Sequence, residues 1–470
     1  MYVLFLILGA IVQYSLWKKE KFSALFIFHA TFLLYYVAVP TLVFIFNSSL
    51  TIKPGRFTYY ILGSSFDDYY KGFGITIFSY LTILASVFIR YAYNKGKKPR
   101  LEKNLENSFF PMKIVYRYGW FFLLVGGGSV LMFFREFGGF RAALVFADTL
   151  RYAGTDSSQY YGPLTALFRM LSFLVMGAAY CFKVYKDNSK SKKGNILFLV
   201  SIILSMMYLI FNSGRATIVF FLVPFVLEYV IKRNKNVILT TIFIFIGVVV
   251  TAELFDIILY QMTTGSIAVA QSNTTLMSNV VSAVNDLSFP YSNILMVTDM
   301  NELHGFRYGA DYFIWIFDII PTRIFSSIGI SIPRFETLNA NTSSFYYVLN
   351  PLSYGGVPTD FITLGMRQFS LAGLALNSVF YSFFAMYIDK LSQKIGSKYN
   401  LIIIRFQMLF FTFITNNDLT DIIRGNLFIF IILIMLIGIN RKMKRANINE
   451  AKIIQTGPQF SIYDVRSENI

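Results

Sequence analysis

What most constrains this chain is a rhythm. Apolar runs of roughly 17–25 residues, the length at which a helix crosses a bilayer, recur from Tyr2 to Ile439. The connections between them alternate, one rich in Lys and Arg and the next poor in Lys. Lys18, Lys19 and Lys21 follow the first run, and Lys95, Lys97, Lys98, Arg100 and Lys103 the third. Lys186, Lys190, Lys192 and Lys193 follow the fifth, and Lys232, Arg233 and Lys235 the seventh. Lys390, Lys394 and Lys398 follow the ninth, and Arg441, Lys442, Lys444 and Arg445 open the tail. In lipid every backbone polar group must be bonded internally, so only helices and closed barrels span. These runs show no period-two alternation. The expected fold is all-α, a polytopic transmembrane helical bundle.

About eleven spans are expected: Tyr2–Trp17, Phe22–Phe46, Gly72–Tyr93, Val115–Phe134, Pro163–Tyr185, Ile196–Phe211, Thr217–Ile231, Val237–Phe255, Phe369–Ile388, Leu401–Thr415 and Leu427–Ile439. Lys and Arg favour cytoplasmic connections. The N-terminus is therefore expected outside and the C-terminus in the cytoplasm. The bundle takes residues 1–445, with extracytoplasmic loops at 135–162 and 256–367, and 446–470 form a cytoplasmic tail. Tyr312–Ile320, aromatic and stopped at Pro321, reads as a short interfacial helix in the larger loop.

Composition removes several function classes. Charged residues make up 14% of the chain, against about 25% in soluble domains. A single cysteine, Cys181, excludes a disulfide framework. No basic region precedes the first run and no small-residue cleavage site follows it, so it reads as a span and not a cleaved signal. The net charge of +17 fits loops facing anionic lipid, and nucleic acid is not an expected partner. HExxH, Cys/His clusters, GxxxxGK[ST] and GxSxG are all missing. No metal and no cofactor is expected.

The expected outer side carries a second pattern. It holds only Lys53 and Lys71, yet also Arg56, Arg135, Arg141, Arg151, Arg169, Arg215, Arg307, Arg323, Arg334, Arg367 and Arg424. Single arginines there anchor at headgroups or pair with local acids such as Glu136, Asp148 and Asp318. As a set they suit an anionic ligand, because a planar guanidinium holds phosphate oxygens bidentately. Arg141, Arg151, Arg169, Arg215, Arg307, Arg323, Arg367 and Arg424 are the candidate diphosphate- and glycan-binding residues. His304 and Asp360 are the candidate general bases, since a base needs a proton affinity near neutrality. Asp286, Asp311, Asp318, Asp67, Asp68, Asp418 and Asp421 are rivals, and His29, inside the second run, reads as a packing contact. Gly365 and Gly373 allow close helix approach.

Four stretches carry a resemblance: Gly305–Gly309 (GFRYG), Ile320-Pro321-Thr322-Arg323, Gly355–Gly373 (GGVPTDFITLGMRQFSLAG) and Ser213-Gly214-Arg215. With them the chain resembles the bacterial oligosaccharide repeat-unit polymerases, the Wzy-type O-antigen and capsule polysaccharide polymerases. The likeness covers most of the chain in its arrangement of spans and its large outer loop. The histidine signature of the O-antigen ligases is missing. The resemblance implies a metal-independent glycosyltransferase of the bacterial cytoplasmic membrane. It would transfer a glycan from undecaprenyl diphosphate to a fresh lipid-linked repeat unit, with a chain-length regulator and a flippase as pathway partners. The alternatives are an O-antigen-ligase-like transferase and a transporter or flippase of lipid-linked oligosaccharide.

Overall fold

The computed structural model describes residues 1–20, 22–52, 55–95, 112–152, 162–212, 215–233, 276–318, 320, 322–330, 335–350, 356–395 and 399–456. Among them there is no strand. In chain order the helices are α1 (Tyr2–Glu20), α2 (Ala24–Ile45), α3 (Asn47–Ile52), α4 (Thr58–Gly63), α5 (Phe66–Lys95) and α6 (Met112–Glu136). Then come α7 (Phe140–Tyr152), α8 (Pro163–Ser189), α9 (Lys192–Phe211), α10 (Arg215–Lys232), α11 (Leu276–Leu287) and α12 (Phe289–His304). The last are α13 (Asp311–Asp318), α14 (Thr322–Ser327), α15 (Leu338–Leu349), α16 (Phe361–Ile395), α17 (Asn400–Thr415) and α18 (Leu419–Thr456).

Local chemistry starts several of these. The Ser23 hydroxyl caps α2 by accepting from Phe26 N, and Ser191 caps α9 by accepting from Gly194 N. Such caps satisfy backbone donors that the first turn leaves orphaned. Asp389 does the same from a distance, its carboxylate accepting from Ala24 N and Leu25 N at 2.6 and 3.0 Å. A residue far along α16 thus fixes where α2 begins.

Seven helices (α2, α5, α6, α8, α9, α16 and α18) are long and apolar enough to cross a membrane. They answer to seven of the eleven expected spans. The first and tenth appear as the shorter apolar stretches Tyr2–Lys18 and Asn400–Thr415, and the seventh is α10, which carries Arg215, Glu228 and Lys232. The expected eighth span, Val237–Phe255, lies outside the described residues. The eleventh begins earlier than expected: α18 is helical from Leu419, with a kink at Asn426.

The bundle core is one large apolar cluster that draws on α1, α2, α5, α6, α8–α10, α12 and α16–α18. His29 sits inside it, its ring bonded to Gln13 of α1 and, at 2.8 Å, to the Tyr80 hydroxyl of α5. It joins three helices, as a packing residue does.

The ninth expected span departs most from expectation. It was expected to begin at Phe369, but helix begins at Phe361 and breaks at Phe369 and Ser370, the latter at φ 54°. The two halves then fold against each other. Asn377 Nδ2 donates to Phe361 O at 2.8 Å, and the Phe361 and Tyr381 rings lie 5.5 Å apart. In a straight helix positions 361 and 377 would stand about 24 Å apart. Residues 361–368 therefore form a two-turn half-helix packed antiparallel to residues 371–395. Gly365 and Gly373 make this possible: a Cβ on Gly373 would lie 2.3 Å from Gly365 O.

Candidate functional site

The half-helix has a polar group at each end. At its start is Asp360, 0% exposed. Its carboxylate accepts from Ile362 N, Thr363 N and Thr363 Oγ1 at 3.0, 3.2 and 2.6 Å. It also accepts from Tyr36 Oη at 2.7 Å and Asn293 Nδ2 at 3.1 Å. Five neutral donors satisfy it, and no cation is among them. Two more residues extend this base layer, Tyr346 donating to Asn293 Oδ1 at 3.0 Å and sharing a hydrogen bond with Ser292 at 2.8 Å.

At the other end, about 10 Å along the half-helix, are Arg367 and Gln368. Arg367 is also 0% exposed. Its Nη1 donates to Met300 O and Asn301 Oδ1, both at 2.7 Å, and its Nη2 to Asn341 Oδ1 at 2.6 Å. All three acceptors are neutral, and Arg367 Nε has no partner. Gln368 donates to Asp311 at 2.6 Å and accepts from Gly309 N at 2.8 Å.

Asp311 gathers the neighbouring cation. Arg307 grips its carboxylate with Nε and Nη2 at 2.7–2.9 Å and sends Nη2 on to Glu336 O at 2.6 Å. The Arg307–Asp311 side chains are 13% and 5% exposed, so this pair is well withdrawn from water. Arg307 N donates to Arg367 O at 2.9 Å, which ties the loop to the C-terminus of the half-helix. That loop is strained at Tyr308, whose φ is 47°, while Gly305 and Gly309 take φ of 70° and 86° at no steric cost. Left-handed backbone at a tyrosine costs energy and concentrates at functional sites.

His304 ends α12 beside these groups. Its Nε2 is buried without a hydrogen-bond partner. Burial, reinforced by Arg367 and Arg307 and opposed by Glu336, holds the imidazole below its ordinary value of 6.5. That lowering favours the uncharged imidazole at neutral pH.

A second polar group lies alongside. Asn339 N donates to Asp418 at 3.2 Å, and Asn339 Nδ2 donates to Asn416 at 2.9 Å and Asp421 at 2.7 Å. Asn339 Oδ1 accepts from Thr359 N at 2.7 Å, which joins this group to the Asp360 layer. Helix α13 joins it to the His304 group, with Asp311 at one end and Asp318 at the other. Burial raises the Asp318 carboxyl, and the nearby Arg424 opposes that rise.

Of the candidates read from sequence, His304, Arg307 and Arg367 come together, and Arg424 approaches through α13. The first half of α8, bearing Arg169, packs against α14, bearing Arg323. Arg141 is exposed on α7. The side chains of Arg151, Arg215 and Arg323, and all of Arg334, lie outside the described residues. Asp360 belongs to the inner layer and Arg367 is sealed within the wall, so neither presents itself to a ligand at the surface. No group of three or more His, Cys, Asp or Glu that could hold a metal ion occurs among the described residues.

Sequence reading did not single out Tyr36, Asn293, Asn301, Asn339 or Asn341. Asn339 and Asn341 stand in a visibly polar passage. Tyr36 gave no signal in a chain with 31 tyrosines.

Compared with known proteins, the chain matches no family model, no curated protein and no solved structure.

Proposed function

We propose that this chain is a membrane glycosyltransferase that polymerises undecaprenyl-diphosphate-linked oligosaccharide repeat units at the outer face of the cytoplasmic membrane. The observation that carries the reading is His304: a neutral imidazole with an unbonded, buried Nε2, set among arginines on a strained loop. Such a nitrogen can take the proton of an acceptor hydroxyl. The hydroxyl oxygen then bonds to the anomeric carbon of the donor glycan. The carbon–oxygen bond to the diphosphate breaks, and its electron pair leaves on the diphosphate. That growing negative charge needs preorganised cations, and Arg307 stands beside His304, with Arg141, Arg151, Arg169, Arg215, Arg323 and Arg424 as further candidates.

The test is reconstitution. Purified protein in liposomes, given lipid-linked oligosaccharide but no nucleotide or ion gradient, should produce a ladder of lengthened glycans. Deleting the gene should leave single repeat units on the surface glycan. Arg215→Ala should abolish lengthening while the protein stays folded, and Arg307→Lys, which keeps a cation on Asp311 but loses the fork, should lower it.

One observation favours a second reading. Transporters build substrate sites from interrupted helices and buried charges. Here the half-helix 361–368 starts at buried Asp360, and Arg405 of α17 is 4% exposed with Nε and Nη1 unpartnered. Movement of labelled lipid-linked sugar across the liposome bilayer without lengthening would establish that reading instead.

A further inference from the structure

The structure offers a different role for Arg367 from that of a ligand-binding cation. A helix ends with unsatisfied carbonyls and a partial negative charge, which a histidinium in the last turn ordinarily meets. His304 is in the last turn of α12, which stops at Gly305, whose N–H bonds to Asn301 O. The position is already taken. Arg367 Nη1 donates to Met300 O and to Asn301 Oδ1, both at 2.7 Å, one turn before the histidine. Arg367 is 0% exposed and carries its charge into that C-terminal field without a carboxylate bonded to it.

We propose that Arg367 is a positioning residue: bonded to Met300 O and to the Asn301 side chain near the C-terminus of α12, it fills the cation's place there and leaves His304 Nε2 free to accept a proton. The inference rests on the reading of His304 as general base, and it deepens that reading by naming what sets the base's protonation state. The charged groups acting on His304 are Arg367 from α16, Arg307 from the strained loop and Glu336 preceding α15. Phe345 of α15, its ring 6.4 Å from the imidazole, contributes no charge. The two arginines oppose protonation and Glu336 favours it.

The chain has only two histidines, so histidine-selective nitrogen-15 labelling of the full-length protein in lipid nanodiscs yields two ring-signal sets. His29→Gln assigns them. In the wild type His304 should be neutral at pH 7, with its titration midpoint below 6.5. Arg367→Gln should raise that midpoint by about one pH unit, and Arg367→Lys, which keeps the charge, should leave it low. Glu336→Gln, at an exposed site, should move it the other way. Equal shifts from Arg367→Gln and Arg367→Lys would overturn the proposal, and so would a charged His304 at pH 7 in the wild type. If Arg367→Gln does not fold, the wild-type titration and Arg367→Lys still decide. No substrate or turnover enters this measurement, so a failed lengthening assay and a failed titration are separable results.

Discussion

At the scale of single residues, the site is set by which charges are paired and how dry they are. Arg307–Asp311 is bidentate with side chains 13% and 5% exposed, whereas Lys183–Asp187, also four apart, has side chains 22% and 24% exposed. Breaking a withdrawn pair strands a charge and costs about 3–5 kcal/mol, while an exposed helical pair is worth about 0.3–0.5 kcal/mol. Asp311→Ala should therefore lower the melting temperature in detergent sharply, because it strands both Arg307 and Gln368. Lys183→Ala should leave it nearly unchanged. Equal effects from the two would remove the Asp311 hub from the account.

His304 carries the pH dependence. Its folded midpoint lies below the unfolded value of 6.5, so the neutral form is the native one. Its contribution to stability is complete above 6.5 and is lost as pH falls through the lower folded midpoint. A neutral base also predicts a rate of lengthening that is flat near neutrality and falls on an acid limb beneath 6.5. His304→Gln should reduce the rate about 10²–10⁴-fold and abolish that limb. Residual activity with the limb intact would assign the base elsewhere.

At the scale of elements, the half-helix decides what can be close to what. It separates Asp360 from Arg367 by two helical turns and binds the His304 group to the bundle. Its turn depends on backbone contact at Gly365 and Gly373, where an added Cβ would meet the facing backbone at 2.6 and 2.3 Å. Backbone cannot yield as a side chain can, so Gly373→Ala should cost about 1–3 kcal/mol or more. Gly74→Ala on α5, with nothing within 4 Å of the new methyl, should be neutral or stabilise by about 0.5–1 kcal/mol. Thermal melts of the two variants side by side check the hairpin. A tolerated Gly373→Ala would argue for a straight α16.

This element also marks where sequence stops being informative. Helical class and most long apolar helices were legible, because hydropathy over a 20-residue stretch responds to burial whatever the partner. That Gly365 and Gly373 allow close approach was legible too; that they approach each other was not. The fold-back was not, since Phe369 and Ser370 carry no Pro or Gly signal and residues 361–368 are as apolar as a span's edge. Only contacts such as Asn377 to Phe361 distinguish a hairpin from a rod. The partners of Arg367 were illegible for the same reason: its charge is visible in sequence, but its bonds to Met300, Asn301 and Asn341 are long-range facts.

At the scale of the whole molecule, the distribution of cations predicts an orientation. The Lys-rich stretches of sequence fall between α1 and α2, after α5, between α8 and α9, and after α10 and α16. The His304 group, the α13 helix and the half-helix turn lie on connections of the opposite set. If the positive-inside bias holds, every one of these latter positions faces outward, where a lipid-linked glycan would meet His304. The chain is well suited to the test because its one cysteine, Cys181, is buried and can be replaced by alanine. In that background a cysteine at Tyr308, which is 72% exposed, should react with a membrane-impermeant maleimide added to intact cells. A cysteine at Lys190, on the exposed turn between α8 and α9, should react only after the membrane is opened. The reverse pattern would put His304 in the cytoplasm, remove an outward-facing transferase from consideration, and leave the buried Asp360 and the broken α16 to be explained as parts of a transport path.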